Sequence, residues 1–135
     1  GLMAGMQVSA VCPEGCEPSR TVLEYAKAYG DKFTLSTDPK AGAQGADVVY
    51  TDAWISTGSE EEQLLRRRHF RGYQVNEELL ALAKPDCMVL HCLPARKGEE
   101  IAVETFERHA DEIFEETENR LHAQKAVLAI LMGGR

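Results

Sequence analysis

Met88-Val89-Leu90-His91-Cys92-Leu93-Pro94-Ala95 is the stretch whose reading decides the fold. Val89 and Leu90 close an apolar run that is continuous rather than alternating, the pattern of a buried parallel strand. Just past it come an imidazole, a thiol and a proline, and then a loop and a Glu-rich helical segment. Open α/β sheets place ligands beyond the carboxyl ends of their strands, so this loop is the first candidate for a site. The rest of the chain reads as the sheet that holds it.

Working outward, Gly1 to Gly5 has the look of the last turn of a helix, and Met6 to Val11 of a strand. A domain seldom begins at the end of a helix, so the chain is expected to be a fragment lacking a preceding strand and helix. Pro13-Glu14-Gly15 is a turn. Pro18-Ser19 opens a helix to about Tyr29, with Val22, Tyr25, Ala26 and Tyr29 on one face. Phe33 to Ser36 is a short strand, and Asp38-Pro39 begins a brief helix that Gly45 closes. Ala46 to Thr51 is the next buried strand, carrying Asp52-Ala53-Trp54-Ile55-Ser56-Thr57-Gly58 at its end.

Ser59 with Glu62 forms a capping box, predicting a helix from Glu60 to about His69. Asn76 caps a further helix from Glu77 to Ala83, which stops before Pro85. Beyond the Cys87 to Leu90 strand, Ile101 to His109 is helical, with Val103, Phe106 and Ala110 inward. Glu118 to Met132 is the last helix, with Leu121, Val127, Leu128 and Leu131 apolar. Strands alternating with helices give an α/β fold, a doubly wound parallel sheet with helices on both faces, in one domain over residues 1–135.

Composition narrows the function classes. The chain is 44% hydrophobic and 27% charged, that of an ordinary globular domain. No run of about eighteen or more apolar residues is present, which excludes a transmembrane helix. No basic-then-apolar signal segment opens it. The net charge of −7 argues against nucleic acid, which needs a positive face. Arg66-Arg67-Arg68 follows Glu60-Glu61-Glu62 on one helix, an order that suits the dipole and allows acid-to-base pairs on a solvated face. The four cysteines lack zinc spacing and no His cluster completes a site, so no metal is expected. Free thiols in a cytoplasmic chain are the expectation.

The two strand-end loops supply a carboxylate at Asp52, a hydroxyl at Ser56, backbone amides near Gly58 and a thiol at Cys92. A carboxylate and a hydroxyl suit an ammonium group, while amides beside Gly58 suit a carboxylate. That set would recognise an amino acid. Plainer readings stand beside it: Asp52 as a turn cap, Cys92 as a small buried hydrophobe, Arg120 as a partner of carboxylates such as Glu116. His91 reads first as a hydrogen-bonded structural histidine, and Trp54 as packing that orients the Asp52 loop.

Three motifs together carry a resemblance. Asp52 to Gly58, His91-Cys92-Leu93-Pro94-Ala95, and Glu118-Asn119-Arg120-Leu121-His122-Ala123-Gln124-Lys125 resemble the C-terminal, amino-acid-binding half of ornithine carbamoyltransferases. The related aspartate enzymes are expected to carry His-Pro-Leu-Pro where this chain has His91-Cys92-Leu93-Pro94. The resemblance implies that Asp52 and Ser56 hold the α-ammonium of ornithine and the Thr57 backbone meets its carboxylate. Cys92 would lie beside the δ-amine, with the Leu93 carbonyl orienting it. Arg120 would contact the carbamoyl group as negative charge develops on its oxygen.

The implied reaction joins ornithine and carbamoyl phosphate to give citrulline and phosphate in arginine metabolism, with no metal and no organic cofactor. The implied fold is Rossmann-like and lacks its first strand; the missing N-terminal domain would bind carbamoyl phosphate. The intact enzyme would be a cytoplasmic homotrimer. Thr57 stands where the family usually has Met, and nothing here resembles its Ser-Thr-Arg-Thr phosphate loop or its His-Pro-x-Gln segment. The isolated chain is therefore expected to be inactive. Transfer to a related amine such as acetylornithine or putrescine is the alternative within enzymes, the Asp52 to Gly58 loop disfavouring putrescine. A non-catalytic amino-acid-binding or assembly module is the alternative outside them. The Leu93–Pro94 bond is expected to be cis.

Overall fold

The computed structural model describes residues 1–55 and 59–133. β1 (Val8–Val11) and β2 (Phe33–Ser36) flank α1 (Arg20–Lys27), which Ser19 caps. α2 (Pro39–Ala43) begins at Asp38, whose carboxylate accepts from Lys40 N–H at 2.9 Å. β3 (Val48–Thr51) leads through the Asp52 loop to α3 (Glu60–His69), whose capping box pairs Ser59 and Glu62 reciprocally as predicted. α4 (Glu77–Leu80) follows the Asn76 cap, then β4 (Met88–His91), α5 (Val103–Arg108) and α6 (Ala110–Gly133).

The strands form two parallel pairs, β1 with β2 and β3 with β4, not one continuous sheet. A cavity of about 310 Å³, lined by Ser9 and Val11 of β1 and Val48 to Thr51 of β3, lies between the pairs. The parallel pairs alternating with helices are those of a Rossmann-like α/β fold. At the far side β4 is an edge. Met88 N–H donates toward β3, to Asp47 O, so the next amide, Val89 N–H, points outward. Glu112 Oε2 accepts that outward amide at 2.8 Å and blocks the exposed edge.

Val75, Val89, Ile101, Phe106 and Ile113 form the core where β4, α5 and α6 meet. Leu93 and Ala95 of the loop after β4 pack against it, which anchors the loop at two points. Isolated bridging between Val75 and Ile101 ties the segment before α4 to the segment before α5.

Several expectations need correction. β4 alternates, with Val89 and His91 buried and Met88 exposed, because helices cover one face of it only. β3 leaves Val48 and Tyr50 exposed for the same reason. Of the α1 face, only Ala26 is buried; Val22 and Tyr25 are each 51% exposed. α4 stops at Leu80 because the next backbone groups turn to other partners: Leu82 O accepts from Gly45 N–H and Lys84 N–H donates to Ala46 O. α5 begins at Val103, since Ile101 is committed to its bridge, and Val103 itself is exposed. α6 starts at Ala110 rather than Glu118, its acidic first turn suiting the positive helix end. The apolar residues Leu121, Val127, Leu128 and Leu131 on its far half are all exposed. Arg66 and Arg67 do not pair with the acids of their own helix: Arg66 donates to Trp54 O and Arg67 pairs with Glu99.

Candidate functional site

The site follows from one register. β3 and β4 run parallel with Thr51 opposite His91, so both strands end at the same level. The next residues, Asp52 and Cys92, therefore emerge side by side. Asp52 Oδ1 accepts from Ala53 N–H at 2.6 Å, fixing the carboxylate at the mouth of its loop. Trp54 stacks on Phe70 with ring centroids 5.4 Å apart, and Arg66 Nη1 donates to Trp54 O at 3.2 Å. Those contacts and the buried Ile55 hold the first half of the loop against α3. Ser56 and Thr57 lie outside the described residues.

On the other side, the Leu93–Pro94 bond is cis, as expected, and Leu93 sits at φ +52°. Arg120, reaching from α6, donates from Nη1 to the Cys92 carbonyl at 3.1 Å. Among the predicted site residues, Asp52, Cys92, Leu93 and Arg120 thus gather around one strand-end mouth. Burial, then hydrogen bonding to Asp52 and its negative charge, push the Cys92 thiol above the usual thiol range. Cys92 is accordingly a neutral thiol, suited to contacting an amine and poorly suited to nucleophilic attack.

Tyr50 and Glu116 join this group and were not singled out from sequence as site residues. Burial, then a hydrogen bond with Glu116 and the negative charges of Cys92 and Glu116, raise the Tyr50 phenol. The residue as a whole is 55% exposed. Glu116 carries a buried oxygen, Oε2, without a hydrogen-bond partner among the described residues. One signal for Glu116 was available: it precedes Arg120 by four residues and so shares its helix face. Tyr50 offered none, since an aromatic near a strand end is ordinary packing.

The result is two carboxylates, a phenol, a thiol and a guanidinium around the ends of β3 and β4. Such a set can hold an ammonium group and neutralise an adjacent oxyanion. No group of three or more His, Cys, Asp or Glu able to hold a metal ion occurs among the described residues.

Residues 1–131 match the family described as "Aspartate/ornithine carbamoyltransferase, Asp/Orn binding domain". The chain belongs to this family. A carbamoyltransferase relative named ornithine carbamoyltransferase, from Methanosarcina acetivorans, is 55% identical over 128 residues, 95% of this chain and 42% of the relative. Another of that name, from Geobacter metallireducens, is 50% identical over 129 residues, 95% of this chain and 43% of the relative.

Among solved carbamoyltransferase structures, anabolic ornithine carbamoyltransferase from Campylobacter jejuni superposes with a TM-score of 0.87 at 38% identity. The match covers 95% of this chain and 44% of that one. The Pyrococcus furiosus ornithine carbamoyltransferase gives 0.85 at 44% identity, covering 96% and 43%. The chain thus spans about two-fifths of the length of the carbamoyltransferases it matches. It corresponds to their Asp/Orn-binding part.

Proposed function

We propose that this chain binds ornithine as one part of an ornithine carbamoyltransferase. The observation that carries the reading is the Thr51–His91 register, which sets Asp52 beside Cys92, with Arg120 bonded to the Cys92 carbonyl. Asp52, with Ser56, takes the α-ammonium, and the Thr57 backbone takes the carboxylate. The Cys92 thiol and the Leu93 carbonyl orient the side-chain amine. In the whole enzyme that amine, unprotonated, attacks the carbonyl carbon of carbamoyl phosphate. A C–N bond forms, the C–O bond to phosphate breaks, and the amine loses a proton, giving citrulline and phosphate. Arg120 stabilises the oxygen on which charge develops. Positioning two substrates supplies much of the rate, so the chemistry needs neither a metal nor an organic cofactor.

The carbamoyl phosphate site belongs, on this reading, to a partner domain of the kind the longer relatives have room for. A homotrimer follows from the resemblance to the family. A cytoplasmic location fits the four free cysteines, which suit a reducing compartment. The described residues contain no helix long and apolar enough to cross a membrane, and the charge of −7 disfavours nucleic acid.

Calorimetric titration of the chain with L-ornithine, N-acetylornithine, L-aspartate and putrescine tests the reading. Ornithine is expected to bind, with putrescine weaker by about tenfold or more because it lacks the α-carboxylate that the Asp52 to Gly58 loop would hold. Binding of putrescine as tight as ornithine would overturn it, and a preference for N-acetylornithine or aspartate would reassign the substrate.

A further inference from the structure

Glu100 and His91 are both 0% exposed, and the reading above gives neither a task. His91 Nε2 lies 3.1 Å from Glu100 Oε1, and the Leu93 N–H donates to His91 Nδ1 at 2.9 Å. A nitrogen that accepts must carry a lone pair, so the ring keeps its proton on Nε2 and donates it to the carboxylate. The Arg96 N–H donates to that same Oε1 at 2.5 Å. A single oxygen therefore clasps both ends of the loop, His91 before it and Arg96 after it. Inside the clasp, Leu93 holds φ +52°, a left-handed conformation unfavourable for a residue with a side chain. Such backbone persists only where its surroundings over-determine it.

We propose that Glu100 is a positioning residue of the amino-acid site: its Oε1 sets the His91 tautomer, and His91 Nδ1 then holds the Leu93 amide so that the Leu93 carbonyl faces the ligand's side-chain amine. The role of that carbonyl rests on the function proposed above; the tautomer linkage does not. Because both contacts go to Oε1, and Oε2 has no hydrogen-bond partner among the described residues, glutamine can reproduce the clasp with its amide oxygen. Leucine fills similar space and reproduces neither contact.

The test is NMR of the imidazole nitrogens and the Leu93 amide in the full 135-residue chain, paired with L-ornithine titration. The wild type is expected to show the Nε2–H tautomer of His91. Glu100→Gln should keep it, with ornithine affinity within about twofold. Glu100→Leu should mix the tautomers, shift the Leu93 amide and weaken ornithine by about tenfold, the loss of one well-made hydrogen bond. A wild-type proton on Nδ1, a folded Glu100→Leu with unchanged signals and affinity, or a Glu100→Gln as impaired as Glu100→Leu would each overturn the proposal.

If Glu100→Leu does not fold, His91 itself decides. His91→Asn, whose amide oxygen stands where Nδ1 does, should keep affinity. His91→Gln, which can reach Glu100 but offers Leu93 no acceptor, should lose about tenfold. Equal affinities or the reverse order would overturn it. A wild-type chain that binds no ornithine would refute the functional reading, while the imidazole and Leu93 signals would still decide the Glu100 linkage.

Discussion

Cys92 differs from the other three cysteines by position, one residue past the end of β4 and bonded through its carbonyl to Arg120. Cys87 lies at the opposite end of that strand and is buried. Cys92→Ala is therefore expected to weaken ornithine binding about three- to tenfold, the scale of one hydrogen bond, in calorimetric titration. Cys87→Ala should leave affinity unchanged and act only on stability, by about 0.5–3 kcal/mol in urea denaturation. Protonation also separates states. Cys12, Cys87 and Cys92 are raised by burial above the ordinary thiol value of 9.0, and Tyr50 is raised above 10.0, first by burial. Folded protein holds these protons more tightly than unfolded chain. Their contribution is complete below the unfolded values and is lost as pH rises above them toward the folded ones. Urea midpoints should accordingly fall from about pH 9 upward. Midpoints that stay flat there would contradict the burial of these groups.

α2 shows how a short helix is constrained by what it packs on. It lies against β1, and a Cβ built on Gly42 would meet Val11 Cγ2 at 2.2 Å. Helix propensity alone favours Ala over Gly by about 1 kcal/mol. The clash with a stiff β-branched side chain outweighs that gain, because either Val11 leaves its rotamer or α2 moves off the strand. Gly42→Ala is expected to destabilise the chain by a net of about 1–3 kcal/mol in urea or thermal denaturation. A stabilising Gly42→Ala would show that α2 is not held on β1. Caps behaved otherwise. Ser19, Asp38, Ser59 and Asn76 were all legible as helix starts, since their side chains act within a few residues of themselves.

Over the whole molecule, two parallel strand pairs bracket a cavity, and the candidate site sits on one pair. That pair can present groups to an amino acid. A phosphate dianion needs more, a cradle of Arg and backbone amides that no stretch of this sequence resembles. The chain by itself is therefore expected to form no citrulline from ornithine and carbamoyl phosphate. Mixing it with the remaining segment of a full-length relative should restore turnover if the two halves associate. Turnover above background by the chain alone, in a colorimetric citrulline assay, would refute this.

What the sequence by itself determined was local and periodic: the α/β alternation, the capped helix starts, and the strand-end places of Asp52 and Cys92. These depend on backbone preferences and apolar spacing, which act over a few residues. Tertiary structure alone decided the rest. Burial of α1, β3 and the far half of α6 depended on which faces found a neighbour, and most of their apolar residues did not. The start of α6 suits its acidic first turn, but the early turns were held in place by Ile113 and Glu112 docking at β4. The meeting of Tyr50 with Glu116, and of His91 with Glu100, was fixed by the strand register and a tight loop. Partners so chosen are set by packing geometry, which residue spacing does not encode.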